Sequence, residues 1–379
     1  MVNSNANALG IIFPNAYDSY VSELVSERLM ASIPFAGRYR MVDLILSSMV
    51  TSGIDNISIL VRNNYHSLMD HLGSGREWDL TRKNGGLSIY PPYSEKGMKV
   101  YAGRVDGLAS ILQTLKDQKE KYVVMADSNI AVNFDFKAML EAHIASGADV
   151  TVAYAKEEIP TAMKTNTDYT NLYFTFKLED GRVKKIYINS QEEGVQNLSM
   201  NIYIMDRELL INEITEAFVR GFVYFERDIL APKTDKLNIQ AYEFTGYKAR
   251  ICDMKSYFDE NMKLLKDENL DGLFSGNPIY TKVRDDNPTR YIAGAKGRNS
   301  LVADGCVIEG IVENSILFRG VKIEKGAKVR NCVLMQDTVV EAGANLDYVI
   351  TDKNVTVGVA QELHGTDSFP VFVAKGRIV

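Results

Sequence analysis

Four histidines, three cysteines, one tryptophan and nine prolines are all that this 379-residue chain holds of those types. Cys252, Cys306 and Cys332 have neither the even count nor the spacing of a disulfide framework or zinc site. A reducing compartment is their simplest setting, and a cytoplasmic protein is expected. No apolar run reaches the ~18 residues of a membrane span. Met1 to Gly10 lacks basic residues, and Ala8–Phe13 is too short for a signal core, so no signal peptide is expected. Excess positive charge is missing too. Lysine plus arginine is 43 and aspartate plus glutamate is 49, which leaves −6. That excludes the basic footprint of a nonspecific nucleic-acid binder. A hydrophobic fraction of 46% with 24% charge excludes a disordered or fibrous chain. The length exceeds what one core fills, and two domains are expected.

What is present begins as an α/β rhythm. Ala8–Phe13, Ile57–Val61, Tyr122–Met125 and Val150–Tyr154 are short apolar runs with the look of buried strands. Between them, Met41, Leu44, Ile45 and Met49 share one helical face, as do Leu108, Ile111, Leu112 and Leu115. Phe136 to Ile144 is a further helix. Strands alternating with helices imply a mostly parallel sheet, with ligands at the carboxyl ends of its strands. Tyr173–Leu178 and Val183–Ile188 flank Glu179-Asp180-Gly181-Arg182, a hairpin turn signal. Met200–Met205 is another strand, and Ser256–Leu265 a closing helix. This first domain is expected to run from residue 1 to 266. Residues 267–290, with Gly272, Gly276, Pro278 and Pro288, read as a linker.

From residue 291 to 379 the pattern changes. Small aliphatic residues recur every six positions at Val321, Ala327, Val333 and Val339, and Val302 and Ile308 begin an earlier run with the same step. Turn glycines fall between them. This is the signature of a parallel β-helix, with imperfect phasing near Glu313–Phe318 that implies a bulge or loop. Such a ladder ends in an exposed edge and needs a cap or partner. Ile316, Leu317, Phe318 and Tyr348 are candidates for a partner surface.

Pro34-Phe35-Ala36-Gly37-Arg38-Tyr39-Arg40-Met41-Val42-Asp43, continued by Leu46-Ser47-Ser48 and Ser52-Gly53-Ile54, resembles the P-F-G-G-K-Y-R-x-x-D block of the glucose-1-phosphate adenylyltransferases. Gly103-Arg104-Val105-Asp106-Gly107 is similar to that family's G-T-A-D-A. Gly246-Tyr247 and Tyr257 to Met262 are similar to the end of its catalytic domain. The resemblance implies a Rossmann-like nucleotidyltransferase domain with a mixed, mostly parallel sheet, followed by a left-handed parallel β-helix. The family's reaction joins ATP and glucose 1-phosphate to give ADP-glucose and pyrophosphate. It needs a glycine loop against the triphosphate, two aspartates on Mg²⁺ and basic side chains on the phosphates.

Each device is degraded here. The glycine loop becomes Phe13-Pro14-Asn15-Ala16-Tyr17-Asp18-Ser19-Tyr20-Val21, with no glycine between Gly10 and Gly37. Asn15 and Ala16 stand where glycines belong, Tyr20 replaces an arginine, and Asp18 places a negative charge where a triphosphate would lie. Met30 replaces the lysine that follows. The resemblance places the first metal-binding aspartate, in the family's G-D-H-I-Y, at Asp127 of Ala126-Asp127-Ser128-Asn129-Ile130, and the second becomes Arg250, a permanent cation with no acceptor. Asn189 stands in the F-x-E-K-P segment that contacts the sugar phosphate, where both charged residues are gone. Arg62 takes the place of the base-reading glutamine. Removing one charge-stabilising donor costs about 10²–10³ in rate, so their joint loss implies an inactive site.

The pattern resembles the D-type, regulatory branch of the family in bacterial glycogen biosynthesis. That resemblance implies a non-catalytic chain that activates a catalytic subunit within a mixed tetramer, with homo-oligomers alone also open. No cofactor is expected in this chain, Mg²⁺ belonging to the catalytic partner, and neither nucleic acid nor membrane is an expected partner. Asp106, Asp127 and Ser199 are candidates for a remnant pocket, with capping of a helix that starts at Gly107 the alternative for Asp106. Arg28, Arg38 and Arg40 are candidates for binding phosphorylated effectors, with interdomain salt bridging an equal alternative for Arg38 and Arg40. The rival reading is an active nucleotidyltransferase of altered specificity, with a metal site rebuilt from Asp127, Asp106 and Asp253. A hexapeptide-repeat acyltransferase is disfavoured, since His364 is the one histidine after Asp267. Trp78, in a polar glycine-flanked loop, is a candidate partner contact.

Overall fold

A computed structural model describes residues 6–15, 17–83, 85–94, 97–98, 101–165 and 171–379. The parallel heart of the first domain is built from apolar, β-branched runs. β1 (Ala8–Phe13) lies between β2 (Asn56–Leu60) and β4 (Tyr122–Asp127), and β3 (Gly86–Tyr90) extends the sheet beyond β2, all in parallel. α1 (Met41–Thr51) connects β1 to β2 and is buried along most of its length. The helix expected around Leu108 to Leu115 is two pieces, α2 (Arg104–Ser110) and α3 (Leu112–Asp117), broken at Ile111.

A mixed half completes a nine-stranded sheet. β5 (Val150–Glu158), the hairpin β6 (Phe174–Glu179) and β7 (Arg182–Ile188), and the twelve-residue β8 (Val195–Asp206) build that half, closed by β9 (Ile239–Glu243). It is antiparallel except where β5 pairs in parallel with β9. The hairpin turns on Asp180 and Gly181, with φ of 49° and 77°, the left-handed pair its tight turn requires. Apolar clusters cover both faces of the sheet.

The C-terminal quarter winds through three five-stranded parallel sheets. Pairing steps from Val307 to Lys322, then Val339, then Thr356. The step from Val307 to Lys322 is therefore 15 residues, and the others, including Arg290 to Val307 before it, are 17, one short of three perfect hexapeptides. The inward column follows Val321, Ala327, Cys332, Thr338, Ala344, Val349 and Val355, all fully buried. Val333 thus points outward and Val339 is half-exposed, one residue out of the six-step phase expected of them.

The outward-facing Ile316, Phe318, Val333, Met335 and Ile350 are as buried as the interior, because they pack on the first domain against Tyr257 and Phe258. Leu317 points into the coil, and Tyr348 packs near Phe258 with ring centroids 6.1 Å apart. The expected partner surface at Ile316, Leu317, Phe318 and Tyr348 is therefore covered by the chain itself. Residues 267–290 are also not all linker. Asp267–Phe274 is a helix whose Phe274 stacks on Tyr39 at 4.8 Å. Gly272 serves close packing there, since a Cβ would meet Tyr247 at 2.7 Å. Trp78 is 1% exposed, with its indole N–H donating to Ser47 Oγ at 3.2 Å, and is not available to a partner. No helix among the described residues is long and apolar enough to cross a membrane.

Candidate functional site

The carboxyl ends of β1 and β4 meet at the paired residues Phe13 and Asp127, and a cavity of about 120 Å³ opens there. Its walls are aromatic and amide-bearing: Phe13, Tyr17, Phe174, Asn15, Asn171 and Asn201 among them. The dominant charge is Arg104, in the first turn of α2. Its Nη2 donates to both oxygens of Asp127, at 2.8 and 3.0 Å, and its Nη1 lies 2.8 Å from Glu226. The guanidinium sits over the rings of Phe13 (4.6 Å) and Tyr203 (5.4 Å). Two carboxylates hold Arg104 protonated well above the ordinary arginine range despite its burial. Burial pushes Asp127 up to about 6, with Arg104 opposing and Glu226 reinforcing the shift. The carboxylate is therefore ionised at neutral pH. Glu226 arrives on a π-helical turn, Phe225–Leu230. Gly103 lets the chain before it lie against α2, since a Cβ would overlap the Val223 carbonyl. Neither Arg104 nor Glu226 stands out in the sequence. The one available signal is an arginine at the threonine position of the G-T-A-D-A block.

The loop after β1 is tied to itself. Asn15 Nδ2 donates to Asp18 Oδ2 at 2.7 Å, Asn15 Oδ1 accepts the Arg62 N–H at 2.9 Å, and Asp18 Oδ1 accepts the Met30 N–H at 2.7 Å. Asp18 is therefore engaged within the loop and does not line the cavity, where it was expected to oppose a triphosphate. Burial pushes its carboxyl up to about 6, against those hydrogen bonds. Tyr17, in the left-handed region at φ 65°, turns its ring into the cleft. Its hydroxyl donates to the Leu172 carbonyl and accepts from Asn201 Nδ2. Tyr20 packs on Tyr17 at 5.2 Å. Met30 is fully buried, and Ala16 lies outside the described residues.

Arg250, on the short strand Lys248–Arg250, donates from Nη2 to Glu157 at 2.7 Å and to the Ser199 carbonyl at 3.0 Å. Burial alone would raise Glu157, but Arg250 and Lys248 outweigh it and leave its carboxyl below the usual range. Ser199 itself exchanges hydrogen bonds with Asn201, beside the cavity rather than lining it. Asp106 is not a cavity residue, nor does it cap a helix starting at Gly107: α2 starts at Arg104, Asp106 lies inside it, and its carboxylate accepts the Ala102 N–H at 3.1 Å. Asp253 caps the helix Met254–Lys263 by accepting the Ser256 N–H. Asp127, Asp106 and Asp253 thus have three separate occupations and do not assemble a metal site. No cluster of three or more ligating side chains exists among the described residues. Asn189 sits in a left-handed turn after β7 and accepts the Tyr173 N–H, away from the cavity. A hard divalent ion needs free carboxylate oxygens. With Arg104 on Asp127, and Arg250 at the second aspartate's position, the residues do not fit one.

The basic candidates separate. Arg28 makes a bidentate contact with Asp352 of the β-helix, both oxygens at 2.8 Å, with both side chains at most 4% exposed. It is a buried staple between the domains and not free for an effector. Arg40 donates to the Ser67 carbonyl at 2.6 Å, and burial lowers it to about 10. Arg38 is exposed at the rim. Both line a second cavity, about 360 Å³, between the domains, with Lys282, Arg284, Arg319 and Lys353. Asp70 is the lone carboxylate among its walls. Arg319 is 3% exposed, yet its Nε and Nη2 lack hydrogen-bond partners; Asp304 approaches only to 3.8 Å. Burial, then the charges of Arg40 and Arg28, push Lys353 down to about 7.

Comparison with known proteins accounts for this architecture. A nucleotidyl transferase family model matches residues 22–266, and a GlmU-like, C-terminal hexapeptide model matches residues 285–368. The chain is 34% identical to a glycogen biosynthesis protein GlgD of Bacillus subtilis (strain 168), over 99% of this chain and 97% of that protein. The chain belongs to the glucose-1-phosphate adenylyltransferase family. A glucose-1-phosphate adenylyltransferase of Bacillus mycoides (strain KBAB4) is 31% identical over 89% of this chain and 90% of its own length. A second GlgD, from Geobacillus stearothermophilus, is 36% identical over 86% and 83%. The family's place in glycogen biosynthesis extends to this chain, and its coil is a left-handed parallel β-helix.

Proposed function

We propose that this chain is a non-catalytic, regulatory subunit of glucose-1-phosphate adenylyltransferase, acting in the cytoplasm. It assembles with a catalytic subunit, in a hetero-tetramer, and raises that subunit's production of ADP-glucose and pyrophosphate from ATP and glucose 1-phosphate. The carrying observation is the occupation of both metal positions by protein cations: Arg104 on Asp127, and Arg250 in place of the second aspartate. An arginine offers neither a coordination site nor an acceptor, so the polarising role of Mg²⁺ has no counterpart here. Mg²⁺ is used by the catalytic partner. We also assign effector binding to the interdomain cavity of Arg38, Arg40, Arg319 and Lys353, where converging cations, among them the buried and under-partnered Arg319, suit a phosphorylated metabolite. An effector there can regulate only by binding one state of the assembly better than another.

A pyrophosphate-release assay tests the reading. The chain alone, with ATP, glucose 1-phosphate and Mg²⁺, should turn over at less than about one-thousandth of the catalytic subunit's rate. A mixture of the two should exceed the catalytic subunit alone. Turnover by the isolated chain that Asp127→Asn abolishes would overturn it.

A further inference from the structure

Lys353 stands in the turn after the coil strand Val349–Thr351, in the wall of the interdomain cavity. The carboxylate beside it is already engaged. Asp352 holds Arg28 with both oxygens and accepts the Lys353 backbone N–H at 2.7 Å. Among the described residues, Lys353 Nζ has neither a hydrogen bond nor an ion pair. The cavity's other lysine is held: Lys282 Nζ donates to the Asp70 carbonyl at 2.6 Å and lies 3.4 Å from its carboxylate. Of the charges that act on Lys353, Arg40, Arg28 and Lys375 oppose its ammonium and Asp352 alone favours it. Across the cavity stand Arg38, Arg284 and Arg319, with His71 held on Asp43 at 2.6 Å. Arg40 uses only Nη1, on Ser67, and Arg319 leaves Nε and Nη2 without partners. Arginines do not give up a proton, so relief of this crowding falls to Lys353, whose amine burial and neighbours bring down to about 7. A desolvated amine beside other cations is a nucleophile at neutral pH.

We infer that Lys353 is a carbamylation site, which takes carbon dioxide and holds it as a carbamate among the cavity's guanidinium groups. The neutral Nζ attacks the carbon of carbon dioxide. An N–C bond forms, the electron pair of one C=O bond moves onto oxygen, and one proton leaves Nζ for solvent. A cation among cations thereby becomes an anion among them, and each neighbouring charge changes from repulsive to attractive. The planar carbamate oxygens suit the open donors of Arg40 and Arg319. Exposed lysines have neither advantage, since water keeps them as ammonium and no cations receive the product. The inference shares its cavity with the effector assignment but rests on the charges there, not on what the cavity binds or on the subunit's partner.

The test is chemical trapping on the full chain, with no effector and no catalytic subunit present, so its outcome is separate from that of the proposed function. The chain is equilibrated with isotope-labelled bicarbonate at about pH 8, where an amine of about 7 is largely free. A trialkyloxonium salt then esterifies any carbamate and makes it permanent, and peptide mass spectrometry locates the label. Label on Lys353 should exceed that on any other lysine at least about tenfold. In guanidinium chloride that excess should vanish, because it belongs to the fold and not to the local sequence. Arg40→Met returns the amine toward an ordinary lysine and removes a partner of the carbamate, so it should lower the Lys353 label at least about threefold. Arg319→Met, which removes a cation from the opposite wall, should act in the same direction and guards against an Arg40 variant that fails to fold. A folded wild-type chain with no more label on Lys353 than on its exposed lysines overturns the inference. So does an excess that survives unfolding, or one that both folded variants leave unchanged.

Discussion

Arg28 and Asp352 are separated by 324 positions and share a hydrogen-bonded ion pair of almost no exposure. Breaking a buried pair leaves one charge stranded, at a cost of about 3–5 kcal/mol. Arg28→Met should therefore lower unfolding stability by about that amount in a urea titration, while Arg28→Met/Asp352→Leu should recover most of the loss. Sequence reading placed Arg28 among effector contacts because its charge was visible and its partner was not. The same blindness hid Arg104. A side chain's occupation is decided by what lies across from it, and Asp127 and Glu226 are 23 and 122 positions away. Sequence reading offers Asp106 as the cap of a helix starting at Gly107, but the helix starts three residues earlier, and from its third position the carboxylate reaches back to the Ala102 N–H. Trp78 was misread because polar neighbours in the chain say nothing about Ser47 and His71, which fold over it.

At the level of elements, hydrophobic patterning located β1, β4 and the 174–188 hairpin almost to the residue, because buried parallel strands are continuous apolar runs and a two-residue turn has strong chemistry. It placed the β-helix but erred in its phase. A strict six-step pattern assumes coils of 18, whereas these close in 17, so the inward position slips by one at Cys332 and again at Val349. Gly310 shows how tightly the coil closes. A Cβ there would overlap the carbonyl oxygens of Ala327 and Glu324, which belong to neighbouring backbone and cannot rotate away. Gly310→Ala should destabilise the chain by about 1–3 kcal/mol, seen as an earlier midpoint in urea. The break at Ile111 and the helix at Asp267–Phe274 were not legible, because both follow from how neighbouring elements pack.

The whole molecule creates one site that no single element contains. The interdomain cavity draws Arg38 and Arg40 from the first domain, Lys282 from the connection, and Arg319 and Lys353 from the coil. Burial, reinforced by the like charges around it, makes a definite pH prediction for Lys353. Lys353 titrates near 7 when folded, against an ordinary 10.5. Its depressed folded value means that the destabilisation is full below about 7 and fades as pH rises toward 10.5. In anion-free buffer, Lys353→Met should raise Tm near pH 6 and lose that advantage toward pH 10. Inorganic phosphate should stabilise wild type and be bound with proton uptake near pH 8, because an anion restores the ammonium. Calorimetry in buffers of different ionisation heat checks this; binding without uptake would remove Lys353 from the site.

The sequence by itself determined the order of the two folds, the strands at the heart of the first, and the erosion of the glycine loop and of the second metal aspartate. These are local facts, carried by periodicity, turn chemistry and residue type. Only the tertiary structure decided which charges neutralise which. It turned Arg28 into a staple, seated Arg104 between Asp127 and Glu226, and gathered the cations of the interdomain cavity. Coulomb energy and desolvation depend on distance and burial in space, and neither is a property of spacing along the chain.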